Sequence, residues 1–156
     1  MKPYHIDKIL NNPDPAKALE EFRVSVFQAI VDNQYDVTEA EVVPFSIMEM
    51  QVGVSWDGFE GYLTNGHAFR LLDAKKSLET IGAKQTAAIV ESVFRLLKEY
   101  GVDPADDDAV SNCDYDEFAK KFKTSSVDLS SKFQNGKEDY QRFLLQWMRD
   151  HVADFK

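Results

Sequence analysis

Apolar residues recur at spacings of three and four along most of the chain, which is the period of an α-helix. No segment shows the clean alternation of apolar and polar residues that marks a half-buried strand. The pattern therefore predicts an all-α, single-domain bundle of about six to eight helices. The clearest apolar stripes are Leu19, Phe22, Val26 and Ile30; Leu71, Ala74, Leu78 and Ile81; Ile89, Val93, Leu97 and Tyr100; and Tyr140, Leu144, Trp147, His151 and Phe155.

Capping residues predict where the first helices begin. Asp14 is placed as the N-cap of an N-terminal helix over about 15–34. Thr38 and Glu41 have the spacing of a capping box, which predicts the start of a second helix. Because a proline clashes with the carbonyl four residues earlier, we expect a kink or a fresh helix start near Pro44.

Glycines and polar stretches predict the later boundaries. Gly82 and Gly101 stand where left-handed C-terminal caps belong, so the helices on either side of Gly82 are expected to be antiparallel neighbours. We expect a polar acidic loop over 102–113, a helix from Asp114 to about Lys123 and a second polar stretch over 124–131 with at most one helical turn. The last helix is predicted over about 137–155.

Composition narrows the class of protein. The chain has 156 residues, 44% of them hydrophobic, which is enough for one folded domain over 1–156 and excludes a mainly disordered chain. We find no apolar run long enough to span a membrane and no secretory signal. The one cysteine, Cys113, excludes an internal disulfide and a multi-cysteine zinc site. A cytoplasmic location is expected.

The negative charge is concentrated in two windows. The chain carries 18 basic and 27 acidic residues, a net charge of −9, yet Lys and Arg are absent from 24–69 and from 103–117. We call these the first and second acidic windows; each has a charge of −7, and the remainder of the chain has +5. The first contains Asp32, Asp36, Glu39, Glu41, Glu49, Asp57 and Glu60, and the second Asp103, Asp106, Asp107, Asp108, Asp114, Asp116 and Glu117.

These windows allow two interpretations. The acids are either an ordinary solvated surface with some helix-capping roles, or a surface for a basic partner. Duplex DNA carries one charge per roughly 1.7 Å, so fourteen carboxylates imitate roughly 24 Å and a longer imitation needs a dimer. A pI near 4.8 argues against direct binding to nucleic acid or to an anionic membrane.

The search for catalytic and metal-binding motifs is negative. The chain has no glycine-rich phosphate loop and no nucleophile elbow. Its histidines, His5, His67 and His151, lack ligand spacing, and we expect His151 to be partly buried with its hydrogen bonds satisfied. Cys113 has neighbouring aspartates that disfavour a thiolate. A calcium loop starting at Asp106 fails the EF-hand template. We therefore expect no enzyme activity, no catalytic residue, no metal and no cofactor.

An aromatic-rich segment offers one further possibility. Trp56, Phe59, Tyr62 and Phe69 could form a platform for stacking bases. The local charge is negative, with no basic residue before Arg70, so a nucleic-acid backbone would be repelled. We therefore expect most of these rings to pack in the core.

The same region carries a family resemblance. It reads Trp56-Asp57-Gly58-Phe59-Glu60-Gly61-Tyr62, then Asn65-Gly66, then Ser77-Leu78-Glu79-Thr80-Ile81-Gly82-Ala83-Lys84. This order resembles a family of small bacterial helical proteins typified by a DNA-mimic protein, in which a Gly-Gly-Phe element and a nearby Asn precede a helix ending in Leu-x-x-Ile-Gly-Ala. Asp57 replaces the first glycine here. The resemblance covers about 40–155 and supports a shared fold first of all.

The resemblance implies a dimeric DNA mimic that binds DNA-binding proteins and keeps them off DNA, and it brings no catalytic residues. The expected partner is a basic DNA-binding protein, with a second copy of the chain as homodimer mate. An immunity or antitoxin-like protein for one specific partner, or less readily a small-molecule enzyme, stays open as an alternative. The expected partner-binding residues, which we call the candidate acids, are Asp36, Glu39, Asp57, Glu60, Asp103, Asp106, Asp107, Asp108 and Asp116.

Overall fold

Eight α-helices and no strand are found in a computed structural model that describes residues 1–32 and 35–156, with Phe69 described through its backbone alone. The all-α, single-domain prediction is confirmed. The helices are α1 (Ile6–Leu10), α2 (Pro15–Val31), α3 (Glu39–Tyr62), α4 (Leu71–Thr80), α5 (Lys84–Tyr100), α6 (Asp107–Ser111), α7 (Tyr115–Gln134) and α8 (Tyr140–Asp150). A π-helical turn (Leu63–His67) and a 3₁₀ turn (Ala68–Arg70) join α3 to α4, and a 3₁₀ turn (Val152–Phe155) follows α8.

Helix α2 begins as predicted. The Asp14 carboxylate accepts hydrogen bonds from the backbone N–H groups of Ala16 and Lys17, at 3.1 and 3.2 Å. The predicted stripe faces the core, with Ile30 half-buried at its end. The helix ends at Val31 rather than near position 34, and positions 33 and 34 lie outside the described residues.

The expected interruption at Pro44 is wrong. Helix α3 runs through Pro44, and the non-helical dihedral angles within it belong to Gly58 (φ 67°, ψ −177°). Pro44 lies in the second turn, where its missing N–H removes a single bond next to the capping box. The chain bends at Gly58 instead, and the segment beyond it packs its Tyr62 ring against Gly53.

Helices α4 and α5 form the predicted hairpin. Gly82 has a left-handed φ of 81°, and Gly101 ends α5 with a φ of 95°. The Ser46 and Ser77 hydroxyls share a buried hydrogen bond of 3.0 Å between α3 and α4. This hairpin and the α3–α7 pair form most of the core.

The loop expected over 102–113 is wrong, because it contains α6. Near the helix end predicted at about Lys123, the chain has a kink with non-helical dihedral angles at Phe122 (φ −111°, ψ 21°). The helix α7 nevertheless continues beyond this kink to Gln134, so the polar stretch expected over 124–131 is wrong. The reason lies in two serines, Ser126 and Ser130, which occupy the buried face of α7 where a helical pattern normally shows apolar residues. The polar stretch predicted from their composition is therefore the second half of a helix.

Helix α8 begins three residues later than predicted. The Asp139 carboxylate caps it by accepting the N–H of Arg142 at 3.0 Å. The expected partial burial of His151 is wrong, because the residue is exposed at the end of the helix. Its ring stacks on Trp147 with centroids 4.4 Å apart, and its Nδ1 lies 2.8 Å from the Trp147 carbonyl oxygen.

Candidate functional site

The candidate acids lie at the surface. Eight of the nine are exposed and Glu60 is half-buried. Within residues 1–32 and 35–156, none of the nine forms an ion pair with a lysine or arginine. Their charges are therefore open to solvent or to a partner.

The candidate acids of the first acidic window lie near the two ends of α3. Glu39 is the first residue of α3, and Asp57 immediately precedes the bend at Gly58. Eighteen residues at about 1.5 Å each separate them by about 27 Å. Asp36 lies just before the Glu39 end. The Asp57 carboxylate is held in place by Asn65, whose Nδ2 donates to Oδ2 at 3.2 Å.

Backbone capping fixes three acids of the second window, and one of them, Asp114, accepts the N–H of Glu117 at 3.0 Å at the start of α7. The Asp106 carboxylate accepts the N–H groups of Asp108 and Ala109, each at 3.0 Å, and so begins α6. Asp103 accepts the N–H of Ala105 at 3.0 Å. Asp107 and Asp108 occupy the first turn of α6, where the helix dipole favours negative charge. Asp116 holds the equivalent place in α7.

The segment from Leu63 to Arg70 adjoins acids of both windows. Asn65 contacts Asp57, and α6 packs against the Ala68–Arg70 turn. Asp36 lines a groove of about 310 Å³ together with Arg70, Asp73 and apolar side chains of α2 and α3. Three separate stretches of the chain therefore present carboxylates around one short connection.

Three acids in the windows form ion pairs with lysine or arginine side chains of the same chain. Glu49 binds Arg23 at 2.8 Å and Arg70 at 3.3 Å. Glu117 binds Lys120 at 2.5 Å. Glu41 is buried among donors. Of the fourteen acids, eleven remain, which at the charge density of duplex DNA correspond to roughly 19 Å.

The Glu41 carboxylate is the most enclosed of these groups, with 0% exposure. Its Oε1 accepts Lys2 Nζ at 2.8 Å, Tyr35 Oη at 2.5 Å and the Tyr4 hydroxyl. Its Oε2 accepts the Thr38 N–H and hydroxyl, at 2.8 and 2.9 Å. Burial alone raises the pKa of this carboxyl, but the hydrogen bonds from Lys2, Tyr35 and Tyr4 outweigh it and hold the pKa below its usual range.

Two kinds of candidate chemistry, metal binding and a reactive thiol, can be checked in the described part of the chain. This part contains no group of three His, Cys, Asp or Glu residues able to hold a metal ion. Burial, then the charge of Asp114, raises the pKa of the Cys113 thiol and disfavours the nucleophilic thiolate. No helix among these residues is both long and apolar enough to cross a bilayer.

Trp56 corrects one expectation. Phe59 and Tyr62 are buried as predicted, at 1% and 2% exposure, and the side chain of Phe69 lies outside the described residues. Trp56 is 84% exposed. Trp56 lies off the buried stripe of α3 formed by Ile47, Met50 and Val54, so the helical period alone predicts its exposure. The aromatic residues that follow it led to the expectation of burial instead.

The fold and this surface define a small all-helical protein with unpaired surface carboxylates. The family model described as DMP19-like protein matches residues 33–151. The chain belongs to the DMP19-like family, a DNA-mimic protein family that is not known as an enzyme family. No curated protein and no solved structure matches the chain.

Proposed function

We propose that this protein is a non-enzymatic DNA mimic of the cytoplasm, which occupies the DNA-binding surface of a basic DNA-binding protein or transcription regulator. Its family supports the type of function. The observation that carries the proposal is the state of the nine candidate acids: in the described part of the chain they lack ion pairs, and eight are exposed. Glu41 and Glu49, by contrast, each have a cation beside them inside the fold.

The mechanism is competition for arginine and lysine side chains. Negative charge speeds the approach of a basic surface, and charge-assisted hydrogen bonds then replace those that the partner makes to phosphates. Asp57, Asp103 and Asp106 are already oriented by hydrogen bonds within the chain, so less conformational entropy is lost when a partner binds.

The spacing of the acids determines the length of DNA that the protein can imitate. The distance of about 27 Å from Glu39 to Asp57 equals about eight phosphates along one DNA strand. Eleven unpaired carboxylates cover less than one turn of duplex, and a homodimer doubles this length. We therefore include a homodimer in the proposal.

The test uses the purified protein as bait in a native lysate at low salt, with bound proteins eluted by a salt gradient and identified by mass spectrometry. We expect DNA-binding proteins that added duplex DNA displaces. The triple variant Asp106→Asn, Asp107→Asn, Asp108→Asn is expected to elute its partners at lower salt. Asparagine caps helices as well as aspartate does, so the variant loses charge and keeps the cap.

The control variant is Asp7→Asn, Asp139→Asn, Asp150→Asn. It removes three exposed charges outside the windows, and it also includes one N-cap, Asp139. Equal effects of the two triple variants would mean that only net charge matters and would contradict the proposal. One tightly held partner that ignores duplex DNA and salt would instead support an immunity-like protein.

A further inference from the structure

Trp56 is the most exposed large apolar side chain in the described part of the chain apart from Met1. It lies in the last turn of α3 before the Gly58 bend, next to Asp57. Exposure of a whole indole ring leaves apolar surface in water, and tryptophan is enriched among residues that dominate binding energy at protein interfaces. The residue therefore requires an explanation that core packing does not supply.

The sequence around Trp56 is negative. Asp57 follows it, Glu60 lies beyond the bend, and the first acidic window holds no lysine or arginine. Elsewhere in the chain cations lie over aromatic rings, such as Lys121 over Phe122 at 5.0 Å. In the described ranges no such cation lies over Trp56, although indole attracts cations more strongly than phenyl rings do.

We propose that Trp56 is the docking point for an arginine side chain of the basic partner, with the guanidinium over the indole and an N–H donated to Asp57. This inference rests on the proposed function and specifies the chemistry of the partner. A planar guanidinium can stack on a ring and at the same time donate N–H groups in its own plane to a carboxylate, which an ammonium cannot do. The Asp57 carboxylate accepts a hydrogen bond from Asn65 Nδ2 at 3.2 Å, which restricts its motion before a partner binds.

A second copy of the chain is a poorer occupant. In a two-fold interface centred on Trp56, each Asp57 and Glu60 would face the same acids of the other copy. Repulsion between these carboxylates disfavours that arrangement, whereas a basic surface is complementary to it. The negative surroundings therefore favour an arginine-bearing partner.

The test measures binding of two labelled peptides, octa-arginine and octalysine, by fluorescence anisotropy at low salt. The wild-type protein is expected to bind the arginine peptide more tightly than the lysine peptide. Trp56→Ala should weaken binding of the arginine peptide about two- to fivefold, the range of a cation–π contact at an exposed site, and so reduce this preference. Val127→Ala, which removes an apolar side chain of 58% exposure on α7, should preserve it. In a Trp147→Phe background, the arginine peptide should also shield Trp56 from acrylamide quenching.

Each contrary outcome has a distinct meaning. Equal affinity for the two peptides, or a preference that Trp56→Ala leaves unchanged, overturns the arginine site and leaves the acidic surface intact. Failure of both peptides to bind overturns the proposed function as well. If Trp56→Ala converts a dimer to a monomer in sedimentation, the ring belongs to a self-interface and the proposal is wrong.

Discussion

Among the acidic residues, Glu41 is the one whose removal we expect to cost the most stability. Glu41→Ala deletes a carboxylate of 0% exposure that accepts five hydrogen bonds, and it leaves the Lys2 ammonium and the hydroxyls of Tyr4 and Tyr35 without their acceptor. It also removes the carboxylate half of the capping box at Thr38.

The expected loss follows from this arrangement. Removing one partner of a buried ion pair costs about 3–5 kcal/mol, because the other charge stays buried and unpaired. Lys2 retains 21% side-chain exposure and can recover some hydration, so we expect about 3 kcal/mol. A domain of ordinary stability has about 5–15 kcal/mol, and the urea midpoint should fall by about 1–2 M.

The assay is urea unfolding followed by far-UV circular dichroism at pH 7. Glu39→Ala is the matched control, since Glu39 is an exposed acid in the same first turn of α3 and should cost at most about 1 kcal/mol. A loss for Glu41→Ala no larger than that for Glu39→Ala would refute the assignment of Glu41 as a structural ion.

The pH dependence provides a second check. The pKa of Glu41 is lowered in the folded protein from its ordinary value of 4.5. Its contribution is therefore complete above about pH 4.5 and is lost as the pH falls through the lower, folded-state value. The difference in stability between wild type and Glu41→Ala should shrink below pH 4.5.

Three further changes test other parts of the fold. Gly58→Ala should cost about 2–3 kcal/mol, since φ is 67° and a Cβ would lie 2.9 Å from the Ser130 hydroxyl, whereas Gly66→Ala, with open space around it, should cost about 1 kcal/mol in the same urea assay. Glu138→Ala should cost about 1–2 kcal/mol, because this carboxylate accepts the N–H and hydroxyl of Thr86 at the start of α5. Burial raises the pKa of Glu138, but these hydrogen bonds outweigh burial and the pKa is lowered overall. The stability lost in the variant should therefore diminish below about pH 4.5. Cys113 should react with iodoacetamide at pH 7 more slowly in the folded protein than in urea, and equal rates would contradict the raised pKa of its thiol.

The helices that the sequence predicts best are those whose signals are local. Asp14, the Thr38–Glu41 pair, Gly82 and Gly101 all act through backbone geometry within a few residues, and the structure confirms each. The second half of α7 was missed because serines occupy its buried face. The Ser130 hydroxyl donates to the Ser126 carbonyl oxygen within α7 at 2.7 Å and accepts the N–H of Phe59, a partner 71 residues away, at 2.9 Å.

The candidate site shows the same division. An acid with no lysine or arginine near it in the sequence can still form an ion pair with a cation from a distant part of the chain. The sequence alone therefore does not predict which acids stay unpaired. Lys2 reaches Glu41, and Arg23 and Arg70 reach Glu49, from outside the first window. The candidate acids lie at helix starts, at a helix end or in loops, where surface exposure is the ordinary outcome.

The bend at Gly58 links the candidate surface to the order in which the chain folds. The α4–α5 hairpin closes over a few residues, whereas the bend is held by Ser130, and by Gln134, whose Nε2 donates to the Val54 carbonyl 80 residues away. Contacts between distant residues form late because loop closure costs entropy first. We expect α7 to dock on a preformed hairpin and only then to set the positions of Trp56 and Asp57. In the folded protein, partial opening of α7 would then release this surface before the hairpin unfolds, and local stability would control when the protein can hold a partner.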